Sequence, residues 1–68
     1  MKKVIVICRT DQIQVGDEFP LYGKVGRINR IGNFIHFYDN WGQRIAKSPW
    51  WKEGWHMTRE VEDQDINE

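Results

Sequence analysis

Between Arg27 and Arg44 the chain interleaves cations with rings: Arg27, Asn29, Phe34, His36, Tyr38 and Arg44 share one alternation over neighbouring segments. Rings stack on nucleobases, and guanidiniums pair with phosphates or stack in turn, so the mixture suits nucleic acid or another anionic surface. The same residues also suit a sheet that simply keeps one face wet. Arg–Tyr cross-strand pairs contribute about 0.2–1 kcal/mol without any ligand. A second concentration follows in Ser48-Pro49-Trp50-Trp51-Lys52-Glu53-Gly54-Trp55, which holds three of the four tryptophans; Trp41 stands apart on a turn of its own.

Patterns for catalysis are missing from the sequence. His36 and His56 have no metal-ligand spacing around them. Asp17 and Glu18 are adjacent, so on a strand they face opposite ways, which is poor for paired acid–base work. There is no nucleophile elbow and no phosphate-binding glycine loop. The sequence therefore reads as a non-enzyme with no metal, no cofactor and no small-molecule substrate. Gly23 and Gly26 have the Gly-x-x-Gly spacing that clamps a nucleic-acid backbone in KH domains, but here the pair opens a strand, where a bend or bulge explains it.

Length sets the energetic problem. A chain of 68 residues makes one domain with a marginal core, because so small a fold buries only ~60% of its unfolded surface. The single cysteine, Cys8, leaves no disulfide to compensate. Within the apolar run Val4–Cys8 it reads as a small buried hydrophobe in a reducing, cytoplasmic setting. Large aromatics remain as stabilisers, since each buries ~150–250 Å². The opening Met1-Lys2-Lys3 followed by five apolar residues is too short for a signal core or a membrane span, so a buried strand is expected. Net charge is zero overall but uneven: residues 1–59 carry +5 and residues 60–68 carry −5. That division predicts a basic body, residues 1–59, and an acidic, fraying tail, residues 60–68.

Strands are expected over Lys3–Cys8, Lys24–Ile31, Phe34–Asp39, Gln43–Ser48 and Trp55–Val61. Gly32-Asn33 is a strong two-residue hairpin signal. It predicts Ile31 opposite Phe34, Arg30 opposite Ile35, Asn29 opposite His36, Ile28 opposite Phe37 and Arg27 opposite Tyr38. A three-residue turn over Asn40-Trp41-Gly42 sets Asp39 opposite Gln43, Tyr38 opposite Arg44, Phe37 opposite Ile45 and His36 opposite Ala46. One face then collects Gly26, Ile28, Ile35, Phe37 and Ile45 as core, with Arg30 and Lys47 at its edge. The other collects Arg27, Asn29, Phe34, His36, Tyr38, Arg44 and Ala46. Trp50 and Trp51 are neighbours and cannot both point inward. Trp55 and one of that pair are expected to seal the core, the other remaining at the surface with Trp41.

The run from Val15 to Ala46, with Val15-Gly16-Asp17, Gly23 to Gly26, Ile28, Ile35, Phe37, Asp39 and Gly42, resembles SH3-like small barrels of the KOW type. The resemblance covers about half the chain. It implies an all-β fold, a small five-stranded antiparallel barrel, and a binding role on RNA, ribosomes, polymerases or peptides. An acidic loop before the tryptophans and an aromatic entry strand are lacking, which disfavours proline-rich peptides. In style the chain resembles the accessory proteins that phages and mobile elements encode to inhibit or redirect host enzymes. The expected function is a non-catalytic, regulatory module docking onto a larger cytosolic machine that handles nucleic acid. Its contacts would be Arg27, Asn29, Phe34, His36, Tyr38, Trp41, Arg44, Trp50 and Trp51. The alternative is direct binding of RNA or single-stranded DNA on the same face.

Overall fold

Short alternating segments bounded by glycine turns fold here into two antiparallel sheets. The computed structural model describes residues 2–62. Strand β1 (Lys2–Cys8) leads through one 3₁₀ turn (Thr10–Gln12) to a small hairpin, β2 (Glu18–Phe19) and β3 (Gly23–Lys24). Then come β4 (Arg27–Ile31), β5 (Phe34–Tyr38), β6 (Arg44–Pro49) and β7 (Trp55–Val61). One sheet has the order β1-β7-β2-β3, and the other β4-β5-β6. The fold is all-β, but neither sheet closes into a barrel, and seven strands stand where five are expected.

Two local causes account for the extra strands. Pro20, which cannot donate to a ladder, sits in the loop between β2 and β3, so Glu18 and Phe19 are free to pair with Lys24 and Gly23. The strand expected over 24–31 is interrupted at Val25-Gly26, where it changes sheets. Val25 N–H donates to Asp17 O at 2.8 Å, whereas Gly26 N–H donates to Tyr38 O at 2.6 Å. A Cβ on Gly26 would lie 2.8 Å from both the Asn40 nitrogen and the Asp39 carbonyl carbon. Only glycine lets the two backbones approach this closely.

The β4–β5 register follows the hairpin signal at every pair from Ile31↔Phe34 to Arg27↔Tyr38. Gly32 has φ +61 and Asn33 a negative φ, the sign pattern of a type II′ turn. The β5–β6 register begins as expected with Tyr38↔Arg44 and then shifts by one residue. A bulge sets Phe37 opposite Ala46 and His36 opposite Lys47. This corrects two assignments: Lys47 joins the outer face, and Ala46 packs against the core. An inserted residue reverses the alternation beyond it.

Phe37, Met57, Phe19 and Val25 are the most deeply buried hydrophobic side chains, with Ile35, Ile13 and Cys8 completing the core. Phe19 is its centre, meeting Phe37, Trp55 and Tyr22 edge-on at centroid distances of 5.4, 5.4 and 5.8 Å. Trp50 and Trp55 close the core from outside, whereas Trp51 is half exposed, so the adjacent tryptophans divide as expected. Strand β7 runs through Glu60 and Val61, past the boundary set at residue 59, and pairs them with Lys3 and Lys2. Residues 63–68 of the acidic tail lie outside the described residues.

Candidate binding surface

Strands β4, β5 and β6 contain no aspartate or glutamate, while they carry Arg27, Arg30, Arg44 and Lys47. Alternation from the paired registers places Arg27, Asn29 and Ile31, then Phe34, His36 and Tyr38, then Arg44, Lys47 and Pro49 on one outer face. Six sequence-chosen residues, Arg27, Asn29, Phe34, His36, Tyr38 and Arg44, thus share a surface, and the bulge adds Lys47.

The cations are seated on the rings. The Arg27 guanidinium lies 4.6 Å from the Tyr38 ring centroid and the Lys47 ammonium 5.5 Å from that of Phe34. Each such contact contributes about 0.5–1 kcal/mol at an exposed site. Arg44 is paired with Tyr38 by register, yet its Nη1 reaches along the sheet to within 3.4 Å of His36 Nδ1. A guanidinium only donates, so this contact makes Nδ1 the acceptor. Three cations held side by side with no intervening carboxylate produce a local positive potential that attracts anionic groups.

Trp41 stands beyond the Arg44 end of this face and is 87% exposed. Its backbone, by contrast, is heavily braced. Asp39 Oδ1 accepts the N–H groups of Trp41 and Gln43, both at 2.9 Å, and Gly42 N–H donates to Asp39 O at 3.1 Å. Gly42 at φ +85 completes the turn, and Gly26 packs beneath it. An indole held outward on a rigid turn loses little conformational entropy on binding. Ile31 and Phe34, an exposed cross-strand pair, give the opposite end of the face an apolar edge.

The remaining tryptophans fall elsewhere. Trp50 packs on the core, with the Arg9 and Arg30 guanidiniums 6.0 and 5.8 Å from its ring and Trp51 edge-on at 5.6 Å. Trp50 is thus partly buried, and Trp51 is the more exposed of the two. Trp55 donates its indole N–H to Thr10 Oγ1 at 2.8 Å; that hydroxyl also lies 3.1 Å from Lys52 O and 3.2 Å from Ser48 Oγ. This buried hub ties the end of β1 to the segment between β6 and β7. A shallow apolar cavity of about 280 Å³, lined mainly by Phe19, Leu21, Tyr22 and Trp55, opens beside the β2–β3 loop.

Away from the face, one ion pair is built into the structure. Asp17 is buried and accepts Arg59 Nε and Nη2, each at 2.8 Å, together with Gln14 N–H at 3.0 Å. Burial pushes its carboxyl up, but the Arg59 hydrogen bonds, the Gln14 N–H and the Arg59 charge together outweigh it. The carboxyl is held below the usual carboxylate value. Burial pushes the Cys8 thiol up, the Asp17 charge adds to this, and Arg59 offsets part of it. Among the described residues no group of three or more His, Cys, Asp or Glu is placed to hold a metal.

Comparison with protein-family models, with curated proteins and with solved structures finds no match for this chain.

Proposed function

We propose that this protein is a non-catalytic regulatory module that docks through the outer face of β4, β5 and β6 onto an acidic surface of a larger protein machine, one that handles nucleic acid. The observation that carries the reading is the three-stranded sheet with four cations and no carboxylate. Its apolar ends, Trp41 on one side and Ile31 with Phe34 on the other, supply the buried anchors that a protein interface needs. The SH3-like reading is supported by the chain path. A bent strand, β3 continuing into β4, passes between the sheets, and the first and last strands lie side by side. In this account the protein inhibits or redirects the enzyme on which it docks, as accessory proteins of phages and mobile elements do.

Direct binding of RNA or single-stranded DNA is the second reading, favoured by Arg27, Arg44 and Lys47 standing together. Against it, the Tyr38 and Phe34 rings already carry protein cations, so a base would have to displace Arg27 or Lys47 to stack on those faces. Two measurements separate the readings. Capture of a partner from the native host by wild type, lost with Arg44→Glu and Tyr38→Ala while both variants remain folded, supports protein docking; retention by both variants overturns it. A single-stranded oligonucleotide that shifts the amide resonances of β5, with an affinity falling steeply as salt rises, supports the second reading.

A further inference from the structure

Among the described residues, strand β1 forms the edge of the four-stranded sheet and pairs with β7 alone. An edge strand presents unpaired N–H and C=O groups along its length, and folded proteins usually protect such edges with charged side chains (lysine above all), proline, bulges, brevity or a covering segment. In β1 the lysines Lys2 and Lys3 protect only the first two positions, and Val4–Cys8 carries no charge, proline or bulge. The strand is seven residues long with regular pairing throughout, and its outward side chains include Ile5 and Ile7, 66% and 67% exposed. An open backbone edge and an exposed β-branched face thus coincide on one strand.

We propose that two copies of this chain pair edge to edge through β1, antiparallel about a two-fold axis at Ile5, to form one continuous sheet. The strand is nearly its own complement in this register. Ile5 is its central residue, so all seven residues overlap, Val4 lies opposite Val6 of the second copy, and Lys3 opposite its Ile7. The register centred one residue later sets Lys3 against Arg9, two like charges. A parallel pairing without a register shift sets lysine against lysine.

Charge complementarity favours the same register. Ile7 and Cys8 line a groove of about 290 Å³ together with Arg9, Gln12, Glu53 and Gly54. Arg9 is already engaged by Asp11 at 2.7 Å, whereas Glu53 is exposed and has no ion pair among the described residues. Lys3 and Lys2 of the second copy, set opposite Ile7 and Cys8, reach the groove that holds the Glu53 carboxylate. Two-fold symmetry repeats the contact at the other end. The pairing belongs to the opposite sheet from the docking face, so it stands or falls independently of the proposed function. A dimer so formed would carry two docking faces.

Sedimentation equilibrium on the full chain tests this. Wild type is expected to approach twice the 8.2 kDa chain mass as concentration rises. Ile5→Lys, which puts like charges on the axis at an exposed position, is expected to return it to monomer with the fold intact by circular dichroism. Glu53→Lys should weaken association several-fold at low salt, and adding Lys3→Glu should restore it. A wild type that stays monomeric, or a dimer that survives Ile5→Lys, overturns the proposal. Association unchanged by Glu53→Lys overturns the Ile5-centred register.

Discussion

Arg59 and Asp17 meet in a forked pair, with Nε and Nη2 of the guanidinium each 2.8 Å from a different carboxylate oxygen. The pair joins the middle of β7 to the turn that precedes β2, so it fixes where the small hairpin sits on the sheet. Asp17 is almost fully buried, while Arg59 keeps 27% of its side chain exposed. Removing the arginine strands a buried carboxylate with one remaining donor, Gln14 N–H. Arg59→Ala is therefore expected to destabilise the fold by about 3 kcal/mol, at the low end of the range for breaking a buried pair because water reaches Arg59. Urea denaturation gives the number, and a loss below about 1 kcal/mol contradicts this role.

The same carboxylate sets the acid limit of stability. Its pKa is depressed in the folded protein, so its contribution is fully present above the unfolded value, about 3.9. The contribution is lost as pH falls from there through the lower folded value. The urea midpoint should hold steady with respect to this group down to about pH 4 and then fall. In Asp17→Asn that part of the acid fall disappears, while stability at pH 7 is already lower. An unchanged acid limb in the variant contradicts the assignment.

Gly26 carries a different constraint. Alanine there brings Cβ to 2.8 Å from backbone atoms of Asp39 and Asn40, which no side-chain rotation relieves. Gly26→Ala is expected to cost about 1–3 kcal/mol, as overpacking does. It also displaces the turn that holds Trp41. Thermal melting reads the first effect, and heteronuclear relaxation at residues 39–43 reads the second. A variant as stable as wild type with an unmoved turn contradicts the crossing geometry.

Much of the sheet is legible in the sequence, and what escapes has identifiable causes. Gly32-Asn33 fixes every β4–β5 pair because a two-residue turn leaves no freedom of register. The divided roles of Trp50 and Trp51 follow from adjacency on a chain whose side chains alternate. The bulge after Arg44 is invisible because no glycine marks it, and it alone moves Lys47 onto the binding face. Strand β2 is only two residues long and ends before a proline, so no period can reveal it. Trp50 between Arg9 and Arg30 joins segments about twenty and forty positions apart, which alternation does not encode. Of the candidate site, the outer-face residues are legible as a set, whereas the braced presentation of Trp41 depends on Gly26 crossing beneath its turn.

Cys8 is expected to be chemically quiet. Burial raises its thiol pKa, so the thiolate is scarce at neutral pH, and the side chain is shielded at the end of β1. Labelling by a thiol reagent at pH 7.5 should run roughly a hundredfold or more slower in the native protein than in urea, since reaction needs opening. Rates that match in the two conditions contradict the burial of this end of β1.

The central claim is that the carboxylate-free face of β4, β5 and β6 is the docking surface. Its most direct test is the affinity of the captured host partner for wild type and for an Arg27→Glu/Arg44→Glu double variant, measured by titration calorimetry. The account predicts at least a hundredfold loss for the double variant with the fold intact, a wild-type affinity that falls with salt, and no change for Ile5→Lys at the opposite sheet. Equal affinity of wild type and the double variant for that partner would contradict it.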